Sequence, residues 1–125
     1  GAILKHIDMV AGIVAQRHSQ TNAVTVSMDK ISFLKPVFVG NVLFVTARVN
    51  YVQKSSMEIE VNVEAEDIPK GTRVHTGNAF VTFVALDANG KPVSVPKLRI
   101  ESADDQKRFE EGKLRMERRL KELED

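Results

Sequence analysis

The sequence predicts an α+β domain: one long helix meant for burial, a meander of antiparallel strands wrapped around it, and a charged closing helix. Three observations carry this. Apolar residues recur at helical spacing over residues 1–18. From Val24 the period drops to two and stays there, in four segments, as far as Leu86. After Ser102 the helical period returns on a segment rich in Lys, Arg, Glu and Asp.

The elements follow in order. The first helix spans residues 1–18, and the polar run Ser19 to Asn22 breaks it. Val24 to Phe33, rich in Val, Thr and Ile, is a strand. A loop punctuated by Pro36 and Gly40 leads to a second strand, Val42 to Val52, with Leu43, Val45, Ala47, Val49 and Tyr51 in one phase. In the third, Met57, Ile59, Val61, Val63 and Ala65 alternate with Glu58, Glu60, Asn62, Glu64 and Glu66, the pattern of a sheet with one wet face. Pro69 to Gly71 turns the chain into a fourth strand, Arg73 to Leu86. Turn residues Asp87 to Pro92 end it, and Val93 to Ile100 is an extended arm, kept from a central position by Pro96. In the last helix Phe109, Met116, Leu120 and Leu123 form a narrow apolar stripe, suited to resting on the domain rather than to an interchain coil. The expected division is a domain over residues 1–100 and a charged helix over 101–125. A strand usually precedes the helix in such arrangements, so a first strand is expected outside this sequence.

Composition excludes several functions. At 125 residues the chain holds one domain, and a formal net charge of +1 provides no field to recruit nucleic acid or a membrane surface. No cysteine is present, which removes disulfides, thiolate metal sites and a cysteine nucleophile and suits a reducing compartment. The three histidines, His6, His18 and His75, have no metal-ligand spacing. No apolar run approaches the roughly 18 residues of a membrane span. No cofactor motif is present, and none is expected.

Asp8 is the exception in an otherwise apolar helix. Burying an unpaired carboxylate is costly, so a chain that places one there has a use for it or a partner for it. On a helical wheel Ile3, Ile7, Val10 and Val14 form a bulky packing arc. Gly1, Leu4, Asp8, Ala11, Gly12 and Ala15 form another, small apart from Leu4, which leaves space for a ligand to approach the acid. His6 and Arg17 lie on a different side.

Taken together, ILKHIDMVAGIVAQRH (3–18), VTVSMD (24–29), FLKPV (33–37), YVQKSSMEIEV (51–61), FVALD (83–87), GKPVSVP (90–96) and KRFEEGK (107–113) resemble, in order and over nearly the whole chain, the hotdog-fold cytosolic acyl-CoA thioesterases. The resemblance implies hydrolysis of acyl-CoA to fatty acid and coenzyme A in the cytoplasm. It also implies a homo-oligomer, built as a trimer of dimers whose active sites are shared between two chains, with neither nucleic acid nor membrane as partner. It gives Asp8 the role of general base or nucleophile. Gly1 matches the second glycine of the family's His-Gly-Gly stretch, whose remaining residues, with a nearby asparagine that assists the acid, are absent here.

The free N–H groups at that helix start would polarise the thioester carbonyl. Gly1 and Asp8 are seven positions apart, about 10 Å along a helix, so they are expected to serve one site from different protomers. Lys54, Ser55 and Ser56 resemble the family's nucleotide-contacting turn, and equally fit an ordinary polar hairpin. Thr76 and Asn78, in phase with Phe80, face either a site or solvent. Lys91 and Lys97 flank an arm able to lie over the pantetheine. Ser27 and Asp29 fit a family motif, with a strand-edge salt bridge the simplest role for Asp29. A hydratase would need a histidine beside the acid, and His6 lies on another arc. A non-catalytic acyl-CoA-sensing module is the remaining alternative.

Overall fold

The computed structural model describes residues 2–33, 35 and 37–124, with backbone only for Lys30, Ile31 and Phe33. Gly1, Leu34, Pro36 and Asp125 lie outside the described residues. Helix α1 (Ala2–Ser19) is followed by strands β1 (Asn22–Phe33), β2 (Val42–Gln53), β3 (Ser56–Asp67) and β4 (Thr72–Leu86), then by helix α2 (Ala103–Glu124). The strands form one antiparallel sheet in the order β1-β4-β3-β2, so β1 and β2 are its edges.

The core lies between α1 and one face of the sheet. The alternation in β3 buries Met57, Ile59, Val61, Val63 and Ala65, and β4 adds Ala79, Val81, Phe83 and Ala85. Full burial of each large aliphatic side chain contributes about 1.5–3 kcal/mol. From α1 the buried residues are Ile7, Ala11, Ala15 and Ser19, one per turn. Ala11 and Ala15, read from the sequence as open space around Asp8, are therefore packed against the sheet. Val10 and Val14, assigned to the packing arc, are only half-buried. A sheet curved around a helix comes closest where side chains are smallest, so the alanines sit at the line of contact and the valines at its flank.

The opposite face differs from the wet surface that the glutamates predicted. Glu58 and Glu60 are 4% and 7% exposed, because α2 covers them. Arg115 grips Glu58 with two hydrogen bonds, 2.9 Å from Nε and 2.7 Å from Nη2, while its guanidinium lies 3.7 Å from the Phe80 ring centroid. Arg108 donates to Glu60. At the start of α2, Asp105 accepts from Arg48 at 2.7 Å, and that bond, more than the one from the Glu101 amide, holds its carboxyl below the usual range.

The apolar stripe of α2 is used in its first half. Phe109 meets Tyr51 edge-on at 4.8 Å and Met116 is buried, whereas Leu120 and Leu123 are exposed. Tyr51 reaches this face because β2 carries a bulge between Val49 and Tyr51, which inverts the phase read from the sequence. Val49 and Val52 remain with the core. The arm after β4 is pinned as expected for an edge segment: the amides of Val93 and Val95 donate to the carbonyls of Ala85 and Lys54.

Gly112 sits where α2 comes closest to the sheet. A Cβ there would lie 2.8 Å from Cβ of Tyr51 and 3.0 Å from Glu58 Oε1. Gly112→Ala separates two effects of opposite sign. Helix propensity alone would stabilise by about 1 kcal/mol, whereas overpacking costs about 1–3 kcal/mol. Since the nearest atom adjoins backbone, overpacking prevails, and thermal unfolding should show a fall of several °C. A rise in Tm would contradict this docking of α2.

Candidate active site

Asp8 stands at the rim of the buried face of α1, half-buried, with Ala11 and Ala15 behind it. Its partner is Thr25 of β1, whose hydroxyl donates to Asp8 Oδ1 at 2.8 Å. Oδ2 has no hydrogen-bond partner among the described residues and is available to a water. Gly12, one turn on, lies beside Phe83: a Cβ there would be 3.7 Å from the ring, an ordinary contact, so its absence leaves space next to the acid.

Thr25 faces Asp8 by alternation with Ala23, and β1 is bulged immediately after it. Thr25 pairs with Phe83, Ser27 with Thr82 and Met28 with Val81, so Val26 is the extra residue. Ala23, Thr25 and Met28 consequently face α1, while Ser27 and Asp29 face α2. Ser27 donates to Asp29 Oδ2 at 3.0 Å and accepts from Arg119 of α2 at 3.0 Å. Asp29 thus takes a hydroxyl partner in place of the edge salt bridge expected.

The other sequence candidates are dispersed. Gly1 lies outside the described residues. Lys54 and Ser55 form the β2–β3 turn, with Lys54 at φ 53° and Ser56 opening β3. This turn borders a cavity of about 450 Å³ with Lys97, Val95 and Phe109. Lys91 is exposed on the next turn, where its amide and that of Asn89 donate to Asp87. Thr76 is fully buried at a bulge in β4, its hydroxyl donating to the Val63 carbonyl at 3.1 Å. Asn78 lies under α2 with Asn50, Glu60 and Arg108, on the sheet face opposite Asp8. The structure therefore joins Lys54 and Lys97, and keeps Asn78 apart from the acid.

Sequence reasoning missed Thr25, Arg115 and Arg119. Thr25 sits in a run that alternates normally, and nothing local announces the bulge. The arginines carried a usable signal: Arg108, Arg115 and Arg119 share one helical face, complementary to the glutamates of β3. Among the described residues no three His, Asp or Glu side chains cluster to hold a metal, and no helix is long and apolar enough to cross a membrane.

The Thioesterase superfamily profile matches residues 1–72. The cytosolic acyl coenzyme A thioester hydrolase of Rattus norvegicus is 44% identical over 115 residues, covering 90% of this chain. The chain spans only 30% of that relative's length. The crystal structure of the Bacillus cereus acyl-CoA hydrolase superposes with a TM-score of 0.91 at 36% identity, covering 99% of this chain and 76% of that one. The Staphylococcus aureus acyl-CoA hydrolase, solved with butyryl coenzyme A, has a TM-score of 0.89 at 34% identity, covering 98% and 75%. It was also solved with one aspartate and with one threonine replaced by alanine. An apo-hexameric acyl-CoA thioesterase superposes with a TM-score of 0.92 at 32% identity, covering 98% and 79%. The helix-in-sheet arrangement is thus the hotdog fold, and the chain belongs to the thioesterase superfamily.

Proposed function

We propose that this chain hydrolyses acyl-coenzyme A thioesters to a free carboxylic acid and coenzyme A, with Asp8 as the catalytic acid–base group. The observation that carries this reading is the Thr25–Asp8 hydrogen bond at the rim of the small-residue face of α1. It fixes one carboxylate oxygen and leaves the other for water. A parallel supports it: in the S. aureus hydrolase the substituted aspartate and threonine are as far apart along the chain as Asp8 and Thr25 are here.

In this mechanism Asp8 Oδ2 takes a proton from water as the water oxygen attacks the thioester carbonyl carbon. The N–H groups at the start of α1, near Gly1, stabilise the oxyanion. The C–S bond then breaks, and the proton on Asp8 passes to the departing thiolate. Because the helix start and Asp8 are about 10 Å apart, the two come from different protomers. Lys54 and Lys97, which line one cavity, with Ser55 and Ser56 in the same turn as Lys54 and Lys91 on the adjoining turn, suit the phosphates and hydroxyls of the nucleotide end. Asn78 would act from the far side of the sheet, on substrate held by a neighbouring subunit, whereas Thr76, fully buried with its hydroxyl on the Val63 carbonyl, is left a structural role. The division near residue 100 then separates a body that carries the chemistry from a helix that supports it.

The chain is further proposed to pair through β1 into dimers, three of which assemble. Among the described residues β1 is an edge strand, paired with β4 on one side only. Continuing around α1 past Asp8, Met9 and Ile13 are exposed, as is Val26 at the bulge.

Thiol release from a panel of acyl-CoA chain lengths tests the chemistry on the full-length protein. Asp8→Asn should lower kcat by at least about 10²-fold. Thr25→Ala should lower it by about tenfold, with Thr25→Ser retaining most of the rate. Asp8→Asn within threefold of wild type would refute the assignment, and tight acyl-CoA binding without turnover by the wild type would identify a sensing module instead. Light scattering should give an even multiple of the chain mass, and a monomer at working concentration would contradict the two-chain site.

A further inference from the structure

We propose that Arg119 of α2 is a positioning residue for the Asp8–Thr25 pair, acting through Ser27 from the opposite face of the sheet; the inference rests on the hydrolase reading above. Two residues apart in a regular strand, Thr25 and Ser27 would share a face. The extra residue Val26 puts them on opposite faces. If the bulge moved to the N-terminal side of Thr25, that hydroxyl would turn away from Asp8 and the hydrogen bond would be lost. Among the described residues β1 is an edge strand paired only with β4, so one ladder sets the bulge there.

Arg119 supplies a second constraint. Its Nη1 donates to Ser27 Oγ at 3.0 Å, and the same hydroxyl donates onward to Asp29 at 3.0 Å. Ser27, immediately after the bulge, is thereby held toward α2 by both roles of its hydroxyl. The arginine is placed just as firmly: one turn earlier, Arg115 is locked by its two bonds to Glu58 and by the Phe80 ring. Arg119 is unlike Arg108 and Arg115, which neutralise buried carboxylates. Its partner is a neutral hydroxyl, and its Nε is buried with no hydrogen-bond partner. An unmet buried donor is destabilising, so docking stability alone is a poor account of this arginine, whereas holding Ser27 is a specific one.

The test compares Arg119→Met, Arg119→Lys, Ser27→Ala and the double variant of Arg119→Met with Ser27→Ala. The control is Met116→Ala, which loosens α2 without touching Ser27. Arg119→Met and Ser27→Ala should each lower kcat by about tenfold with KM within about twofold, as expected when a reacting group is misplaced. The double variant should be no slower than either single one, and Arg119→Lys should recover much of the loss. Met116→Ala should lower Tm yet keep kcat within about twofold. In hydrogen exchange the amides of residues 25–28 should exchange at least about tenfold faster in Arg119→Met, with those of β3 unchanged. Unchanged kcat in Arg119→Met, or an equal loss in Met116→Ala, overturns the proposal. If the wild type does not hydrolyse acyl-CoA, the hydrolase reading fails by itself. Exchange then decides the positioning role alone, and unchanged protection of residues 25–28 overturns it.

Discussion

Two glutamates on the outer face of β3 cannot remain ionised and covered without partners, and much of this structure follows from how they obtain them. Leaving one buried carboxylate unpaired costs about 3–5 kcal/mol. Arg108 and Arg115 meet Glu60 and Glu58 from one side of α2. Those pairs fix both the line along which the helix crosses the sheet and its rotation about its own axis. Gly112 is then forced, because the helix backbone passes directly over Tyr51. The same line carries α2 from Arg48 on edge strand β2 to Ser27 on edge strand β1. A sheet with one apolar face on α1 and one charged, paired face on α2 is rigid at its centre and open at its edges.

The proposed chemistry sits at one of those edges for a physical reason. The middle of the sheet is covered by a helix on both sides. Among the described residues β1 pairs on one side only; it borders the rim of α1, and its Thr25 faces Asp8 just before a bulge. Asp8 is thereby half-desolvated without being sealed in. Ala11, Ala15 and Gly12 let α1 approach the sheet closely, which brings the carboxylate within reach of Thr25 while leaving its second oxygen free. A site so placed is completed by whatever pairs with the edge, which ties chemistry to assembly.

Much of the fold was legible because alternation and helical spacing are local signals. All six elements lie where the periodicity put them, to within a few residues. The acid itself was legible as a charge in an apolar helix. What escaped were strand bulges, two of which, at Asn50 and Val26, matter most here; they depend on pairing partners and leave no local trace. The first moved Tyr51 from the core phase to the α2 face. The second sent Ser27 to the face opposite Thr25 and Asp8. The wet-face reading of β3 failed because alternation reports which residues avoid the apolar core, without distinguishing water from a covering helix rich in arginine. The spacing of Arg108, Arg115 and Arg119, set beside the glutamate row, held that information.

The most direct test of the central claim, that the reacting carbonyl is handled at the β1 edge beside Asp8, is a crystal structure of the full-length protein with a non-hydrolysable ketone analogue of an acyl-CoA. The account predicts the ketone carbon within about 4 Å of the Asp8 carboxylate or of a water bound to it, on the α1 face of the sheet and close to Thr25. An analogue seated in the cavities beneath α2, with its ketone on the sheet face opposite Asp8, would contradict it.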